Sequence, residues 1–362
     1  MASIDALRGL AMLLIISIDI GGAPVLPALA KLWDSRFGSS FAEQFRYDFV
    51  EGLRVCFLAM PMFLFVVGLV IPISLNRRRA QGVGGERRIY LQIVRRSLIL
   101  FLLGLIAGGH LLELKFAHMP LYNNVLEYIA VGYLVCAVMV LNTAWPFQLV
   151  LALALLTGYW LLFQFVPVPG WDGGIYSADM NLAIYVDNAV LGPFHRPGSW
   201  QVLATISFIA NVLLGVLMGQ VLEHTGAAKR KIALLSAAGT AMLAAGLVWA
   251  PWFPVIRSLW TSSYVLVTCG LTTLLLAAFV LLIDLLGYRR TACALVVLGA
   301  NSIAIYMMAH LFDFRLIGNI VVGGISELCA PDVRDLIQAC AALTVMWLIM
   351  YWMYRTETFV RV

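Results

Sequence analysis

"VCFLAMPMFLFVVGLVIPISL" occupies residues 55–75 and holds no charged side chain. About 20 apolar residues in a helix cross the hydrocarbon core of a bilayer, and this stretch has that length. "NRRRAQGVGGERR" follows it at residues 76–88 and carries five arginines. An apolar run that stops at a cluster of cations is typical of a transmembrane helix followed by a short basic loop.

The same pattern recurs along the 362-residue chain, which is 62% hydrophobic and 12% charged. Because soluble domains average about 25% charged residues, we predict an all-α polytopic membrane helix bundle of about ten transmembrane helices, with residues 1–362 as one domain. None of the six cysteines forms a C-x-x-C pair, so we predict neither a metal site nor a disulfide framework. The predicted spans cover residues 6–24, 55–75, 90–109, 122–141, 146–166, 201–222, 232–250, 264–285, 292–312 and 335–354.

Basic residues in short loops predict the orientation of these spans. Residues 76–88, 227–231 and 288–290 are rich in lysine and arginine, and ten spans put all three segments on one side with both termini. We therefore expect both termini in the cytoplasm. The net charge of +5 lies largely in such loops, so we expect no nucleic-acid partner.

Charged residues lie at both ends of the first span, which begins in "SIDALRGLAML" at residues 3–13. Asp5 and Arg8 have the i, i+3 spacing of a helical ion pair, and Asp19 lies close to four turns beyond Asp5, on the same helix face. These residues fit either an ordinary helix start with an acid at the far interface or a polar seam through the membrane. Ionisable residues inside a membrane usually face a cavity or a partner.

Other predicted spans contain polar residues as well. Asn124 and Glu127 open the fourth span, and Asn301 and His310 lie on the ninth. The nine residues that separate Asn301 from His310 make two and a half turns, so these two side chains face roughly opposite sides. Hydrogen bonds between helices explain such residues one by one, whereas their number near the outer ends favours at least one polar cavity.

Six segments, in order from residue 3 to about 324, resemble the bacterial relatives of heparan-alpha-glucosaminide N-acetyltransferase. The resemblance implies a transmembrane acyltransferase of the bacterial cytoplasmic (inner) membrane. It would take an acetyl group from cytoplasmic acetyl-CoA and pass it to an amine or hydroxyl of an extracytoplasmic sugar. Its expected partners are membrane lipid, acyl-CoA and a sugar or glycan acceptor, and a homodimer is left open. The segments are "SIDALRG", "FLFVVGLVIPISL", "YNNVLEYIAVGYL", "NLAIYVDNAVLG", "LWTSSYVL" and "GANSIAIYMMAHLFDFRLIGNIVVGG".

One departure from the family pattern bears on catalysis. In "FRYDFVEGLRVCFLAMPMFLF", Tyr47 stands where the family has the histidine that is its proposed catalytic base or acetyl carrier. Enzyme activity is therefore left open. The alternatives are a non-catalytic transporter or flippase for a glycan or lipid-linked sugar, and a membrane protein with a structural or partner-binding role.

Acetylation of an amine needs a base, stabilisation of the developing oxyanion and alignment of the reactants. We predict His310 as the base, oriented by Asp313, with Asp19 as a site for the ammonium group or its proton and Tyr47 as a donor to the oxyanion. The remaining predicted site residues fall into two sets. The cofactor-binding set is Arg8, Arg95, Arg96, Asn124 and Asn301, and the substrate-binding set is Asp5, Glu51, Glu127 and Arg315.

Overall fold

The structure is a computed structural model that describes residues 1–18, 23–32, 36–46, 51–80, 85–109, 111, 120–171, 173–194 and 202–360. Within these ranges the regular secondary structure is helical, and the only β-type pairing there is an isolated antiparallel bridge between Glu51 and Ile256. The helices are α1 (Ala2–Ile18), α2 (Val25–Lys31), α3 (Arg36–Glu43), α4 (Val55–Ala80), α5 (Glu86–Ala107), α6 (Val125–Asn142), α7 (Trp145–Phe165), α8 (Leu182–Val190), α9 (Thr205–His224), α10 (Ala228–Trp249), α11 (Ser262–Phe279), α12 (Cys293–Ala300), α13 (Ser302–Leu311), α14 (Phe314–Ser326) and α15 (Pro331–Arg355). A π-helix at Val280–Leu285 comes after α11, and short 3-10 helices occupy Gly192–Phe194 and Val202–Ala204.

Eight helices in the described part of the chain are long and apolar enough to cross a membrane. They coincide with eight of the ten predicted spans, which confirms an all-α polytopic membrane protein. The predicted span 292–312 is a pair of shorter helices, α12 and α13, bent by 74°. The predicted span 6–24 overlaps α1, whose described part has 17 residues.

Local sequence explains where several helices begin. The Asn124 side chain caps α6 by accepting a hydrogen bond from the Leu126 N–H, and the Asn181 side chain caps α8 in the same way through the Ile184 N–H. Proline stands in the first turn of α7 and of α15. The N–H groups of a first turn make no hydrogen bond within the helix, so the lack of an N–H in proline costs nothing there. These residues satisfy or avoid the unpaired N–H groups that every helix start carries.

The chain divides into two compact units. Unit 1 contains Met1–Asp48, Arg54–Phe63 and Ala278–Arg361, and unit 2 contains Phe49–Leu53 and Leu64–Ala277. In unit 1, α1 packs on α12 and α13, and α14 packs on α15. In unit 2, α9 packs on α6 and α7, and α5 packs on α6. That residues 1–362 act as one domain stays a prediction.

Glycines permit the closest helix approaches within each unit. A Cβ atom at Gly9 or Gly299 would overlap the backbone carbonyl of Leu295 or Asp5, so α1 and α12 touch backbone to backbone in unit 1. In unit 2, a Cβ at Gly68 or Gly215 would overlap the partner backbone where α4 crosses α9. Small residues at such crossings are the usual means by which membrane helices pack closely.

Candidate functional site

The break between α12 and α13 is the main polar feature of unit 1. Asn301 lies between the two helices, and its side chain amide donates to the Thr358 carbonyl oxygen (3.1 Å). Its Oδ1 atom accepts a hydrogen bond from the Val360 N–H (3.1 Å). A break in a membrane helix frees backbone groups that need partners, and such breaks are tolerated where protein surrounds them. Asn301 therefore anchors the break to the segment that comes after α15.

Two further predicted site residues meet at this break. Arg8 pairs with Asp5 across 3.8 Å, which confirms the predicted i, i+3 ion pair. The Arg8 guanidinium also donates to the carbonyl oxygen of Gly299 (3.4 Å), one residue before the end of α12. A cation is favourable there because the unpaired carbonyls at a helix C-terminus carry partial negative charge. The structure thus brings Asp5, Arg8 and Asn301 to one place in unit 1.

His310 lies near the far end of α13, nine residues beyond Asn301. Its Nδ1 atom is 2.9 Å from the Tyr306 carbonyl oxygen, and the two rings lie 4.2 Å apart. A carbonyl oxygen only accepts hydrogen bonds, so Nδ1 carries the proton in this arrangement. The neutral imidazole then presents Nε2 as a proton acceptor, which is what a general base requires.

Asp313 and Arg315, the two other predicted residues near His310, make contacts of a different kind. Asp313 caps α14 by accepting hydrogen bonds from the N–H groups of Arg315 (2.9 Å) and Leu316 (3.4 Å). In the ranges that the structure describes, Asp313 and His310 share no hydrogen bond, and the imidazole is oriented by Tyr306 instead. Arg315 forms an exposed ion pair with Asp335 (3.4 Å). The catalytic and substrate roles of these two residues stay predictions.

The predicted polar residues at the start of α6 form a helix cap in unit 2. Glu127 accepts hydrogen bonds from the backbone N–H groups of Tyr122 (2.5 Å), Asn123 and Asn124. With Asn124 as the N-cap and Glu127 three residues later, this is the reciprocal arrangement of a capping box. Both side chains are buried, so they hold the entry to α6 in place. Their predicted cofactor and substrate roles stay predictions.

A column of aromatic rings passes next to this cap. Tyr128 stacks on Phe208 (4.4 Å between ring centroids), and Phe208 stacks on Trp260 (4.0 Å). Tyr122 packs edge-on against Tyr128 (5.2 Å). Tyr122 and Trp260 both have a positive φ, at 58° and 51°. A positive φ is uncommon for a bulky residue and marks strain that the surrounding packing has to hold in place. Two of the motifs quoted above, at residues 122–134 and 259–266, therefore meet in the core of unit 2.

Asp187 is a candidate functional residue that our reading of the sequence missed. It is fully buried on α8, where its Oδ1 atom accepts a hydrogen bond from the Val202 N–H (2.8 Å). Burial raises the pKa of the Asp187 carboxyl to about 6, against the smaller opposing effect of the Val202 hydrogen bond. An acid in the mainly apolar helix Leu182–Val190, inside a quoted motif, was the signal that could have identified it.

The other predicted site residues of unit 2 make contacts of different kinds. The Arg96 guanidinium lies over the ring of Tyr133 (4.6 Å), and its neighbour Arg95 is exposed on α5. Glu51 is exposed and pairs with Ile256 through the backbone. The predicted catalytic residues Asp19 and Tyr47 lie outside the described residues.

The apolar helices define a polytopic α-helical membrane protein. The chain belongs to the family described as "Domain of unknown function (DUF5009)", whose model matches residues 1–194.

Two curated relatives carry a functional name, heparan-alpha-glucosaminide N-acetyltransferase. The protein from Homo sapiens is 25% identical over 376 residues, which covers 86% of this chain and 53% of the relative. The protein from Mus musculus is 25% identical over 369 residues, which covers 84% of this chain and 52% of the relative. The chain thus spans about half the length of these relatives. The resemblance inferred from the motifs is confirmed as a distant relationship.

Proposed function

We propose that this protein is a transmembrane acetyltransferase that moves an acetyl group from acetyl-CoA to an amine or hydroxyl of a sugar across the membrane. The observation that carries the proposal is the similarity to two named acetyltransferases along 84–86% of the chain. The membrane helices support it, because a donor and an acceptor in different compartments require a path through the bilayer. We further propose the cytoplasmic face of a bacterial inner membrane as the donor side.

His310 is the proposed general base. The hydrogen bond from Nδ1 to the Tyr306 carbonyl leaves Nε2 to accept a proton from the attacking amine or hydroxyl. For an amine acceptor, the nitrogen attacks the thioester carbonyl carbon, the new C–N bond forms and the C–S bond breaks. The proton that leaves the nitrogen passes to Nε2 and then to the departing thiolate of CoA, so that the base is restored.

Arginines on unit 2 are proposed to recognise the donor. CoA carries several phosphate charges, and the guanidinium group suits phosphate because its donors form a planar fork. Arg95 is exposed on α5, and the side chain of Arg96 is held in place over Tyr133. In this proposal Arg95 contacts phosphate and Arg96 contributes positive potential from a fixed position.

The experiment uses the full chain in lipid nanodiscs, radiolabelled acetyl-CoA and glucosamine as the acceptor. We expect acetyl-CoA binding by calorimetry and transfer of label to the amine. Absence of binding at millimolar acetyl-CoA, together with absence of transfer, would overturn the proposed function. In sealed vesicles that contain the protein, movement of labelled glucosamine across the membrane without acetylation would favour a transporter instead.

Two substitutions test the base separately from the fold. His310→Asn keeps a donor near the Nδ1 position for the Tyr306 carbonyl, and His310→Gln places its amide nearer to Nε2. We expect both to lower the rate by about 10²–10⁴, because neither amide accepts a proton at neutral pH. Leu311→Ala, at the exposed neighbouring position, is the matched control. Full activity in His310→Asn would remove the base assignment and leave the proposed function standing.

The departure at Tyr47 is tested by restoring the histidine that the resemblance leads us to expect. We expect Tyr47→His to raise the transfer rate if the site retains the geometry of the family. An unchanged or lower rate would show that the chemistry of this chain does not use that position as its relatives are proposed to do.

A further inference from the structure

Unit 2 contains a cavity that the proposed chemistry does not use. It has a volume of about 660 Å³ and lies among the C-terminal ends of α4, α6 and α9 and the first turns of α7. Ligand pockets in proteins typically have volumes of about 300–1,000 Å³, so this one is large enough for a substantial molecule.

The walls of the cavity are mainly hydrocarbon. Leu217, Met218 and Val221 come from α9, and Leu149 comes from α7. Pro72 of α4 and Val140 of α6 complete the apolar surface. Because apolar surface gains free energy when it is shielded from water, these walls suit a hydrocarbon chain better than a sugar or a nucleotide.

Several amide side chains in and beside the cavity wall are already hydrogen-bonded. Gln220 donates to the side chain of the buried residue Gln148 (2.9 Å), and Gln148 donates to the Thr143 carbonyl oxygen (2.9 Å). Asn76 donates to the Glu223 carboxylate (2.8 Å). An occupant therefore does not need to supply hydrogen bonds to these groups, which again favours an apolar chain.

Basic residues lie near one end of the cavity, either beside a lining residue or a few positions further along the chain. The Arg79 guanidinium donates to the Leu141 carbonyl oxygen (3.2 Å), next to the lining residue Val140. His224 lines the cavity and is exposed, and Lys229–Lys231 come a few residues after the last lining residue, Thr225. The acid beside the wall, Glu223, is hydrogen-bonded to Asn76. Apolar walls next to a cationic edge complement an amphiphile with an anionic head.

The sequence at the mouth is typical of the membrane interface. Trp145 lines the cavity and is 61% exposed, and Phe147 is exposed two residues later. Tryptophan is enriched where a membrane helix meets the lipid headgroups. The mouth therefore lies at the depth of lipid phosphates, and the apolar walls lie at the depth of lipid tails.

We propose that this cavity is a binding site for one anionic glycerophospholipid, with an acyl chain against α9 and the phosphate beside Arg79. Basic residues next to a membrane helix attract anionic lipids, and here the cations adjoin a cavity of the right polarity. The inference does not depend on the proposed transfer reaction. It rests on the cavity, its paired polar groups and its cationic edge.

Native mass spectrometry of the full chain tests the proposal. The protein is exchanged into vesicles of palmitoyl-oleoyl phosphatidylglycerol or of phosphatidylcholine with the same chains, and is then released into detergent. We expect one retained phosphatidylglycerol per chain and at least tenfold less phosphatidylcholine. Equal retention of the two lipids, or retention of neither, would overturn the proposal.

Matched variants locate the bound lipid. Val221→Trp fills the cavity and should lower phosphatidylglycerol retention about tenfold, whereas Leu234→Trp, at an exposed position on α10, should not. Arg79→Gln should reduce the preference for the anionic head severalfold, whereas Arg289→Gln, on an exposed turn, should leave it unchanged. Retention that is unaffected by both Val221→Trp and Arg79→Gln would overturn the site.

A second measurement does not depend on how the variants fold. Phosphatidylglycerol with a diazirine on its acyl chain is photolysed with the unaltered protein, and the labelled peptides are sequenced. Labelling centred on residues 140–149 and 217–225 supports the site, and labelling confined to other helices overturns it. Displacement of the label by palmitoyl-CoA but not by phosphatidylglycerol would identify a soluble acyl thioester as the occupant and would also overturn the proposal.

Discussion

Units 1 and 2 each contain a helix crossing built on glycine, and the two crossings differ in how the helices continue beyond them. In unit 1, α1 meets α12 at Gly9 and Gly299. In unit 2, α4 meets α9 at Gly68 and Gly215, and α9 continues as one helix to His224. In unit 1, by contrast, α12 stops at Ala300 and the chain bends by 74° into α13.

The difference shows that glycine at a helix crossing permits close packing but does not by itself produce a polar site. Glycine supplies the close approach in both units. In unit 1 the break frees backbone groups as well, and Arg8 and Asn301 lie where they can bind the adjoining backbone carbonyls and N–H groups. The continuous α9 of unit 2 satisfies its own backbone and needs no such partners. The polar contacts of Arg8 and Asn301 therefore follow from the break in the helix and not from the glycine crossing.

The largest expected effect comes from adding a side chain at either crossing. Gly299→Ala in unit 1 and Gly68→Ala in unit 2 each place a methyl group against a partner backbone that cannot move away like a flexible side chain. We expect each to cost about 3 kcal/mol or more, or to prevent recovery of folded protein. Thermal unfolding in detergent measures the loss.

Gly158→Ala is the control for this prediction, because a Cβ atom there meets nothing within 4 Å. It should leave the free energy of unfolding unchanged or raise it by about 0.5–1 kcal/mol, since alanine is the better helix former. Normal stability of Gly299→Ala would mean that α1 and α12 do not touch as described.

The next largest effect is expected at the break itself. Asn301→Ala removes the partner of both the Thr358 carbonyl and the Val360 N–H, and we expect a cost of about 2 kcal/mol. Asn142→Ala removes an exposed amide of unit 2 that is hydrogen-bonded to the Val138 carbonyl and the Tyr90 hydroxyl, and should cost less than about 1 kcal/mol because water can replace these partners. Equal costs would show that burial at the break adds nothing to the role of Asn301.

The next prediction concerns the buried acid Asp187 of unit 2 and the dependence of the unfolding free energy on pH. Burial raises the pKa of Asp187 to about 6, above its usual value near 3.9, so the folded state binds the proton more tightly. The favourable contribution is complete below about pH 4 and is lost as the pH rises towards 6. We expect a decrease in stability on the order of 1 kcal/mol over that interval.

Asp187→Asn provides the control for the titration. The asparagine side chain retains an oxygen for the Val202 N–H and does not titrate, so its unfolding free energy should change less between pH 4 and pH 6.5. Identical pH profiles for the variant and the unaltered protein would contradict the raised pKa of Asp187.

The smallest effect is expected at an exposed ion-pair cluster of unit 1. Asp335 binds Lys31 (2.9 Å) and Arg315 (3.4 Å) on the surface. A double-mutant cycle with Lys31→Ala and Asp335→Ala should give a coupling below about 1 kcal/mol that decreases further in high salt. A coupling that exceeds the Asn301→Ala effect would reverse the ranking of buried and exposed polar contacts proposed for this unit.

The sequence by itself determined the class of the protein and the helices that can span a membrane. Charge-free stretches such as residues 55–75 can form only helices in lipid, because every backbone group must be bonded within the segment. It also determined the Asp5–Arg8 pair, since spacing along one helix fixes which side chains are neighbours. These features depend on local periodicity and composition alone.

Only the tertiary structure decided which polar residues meet. The break at Asn301 is held by Thr358 and Val360, more than 50 residues away in sequence, and no local pattern encodes that contact. Likewise the structure shows Asn124 and Glu127 capping α6, a role that the sequence analysis did not assign, and their ligand roles stay predictions. The buried Asp187 was overlooked. Composition determines that such residues lie in helices. Packing decides whether each one faces backbone, another side chain or a cavity, because burial and partners come from elements distant in the chain.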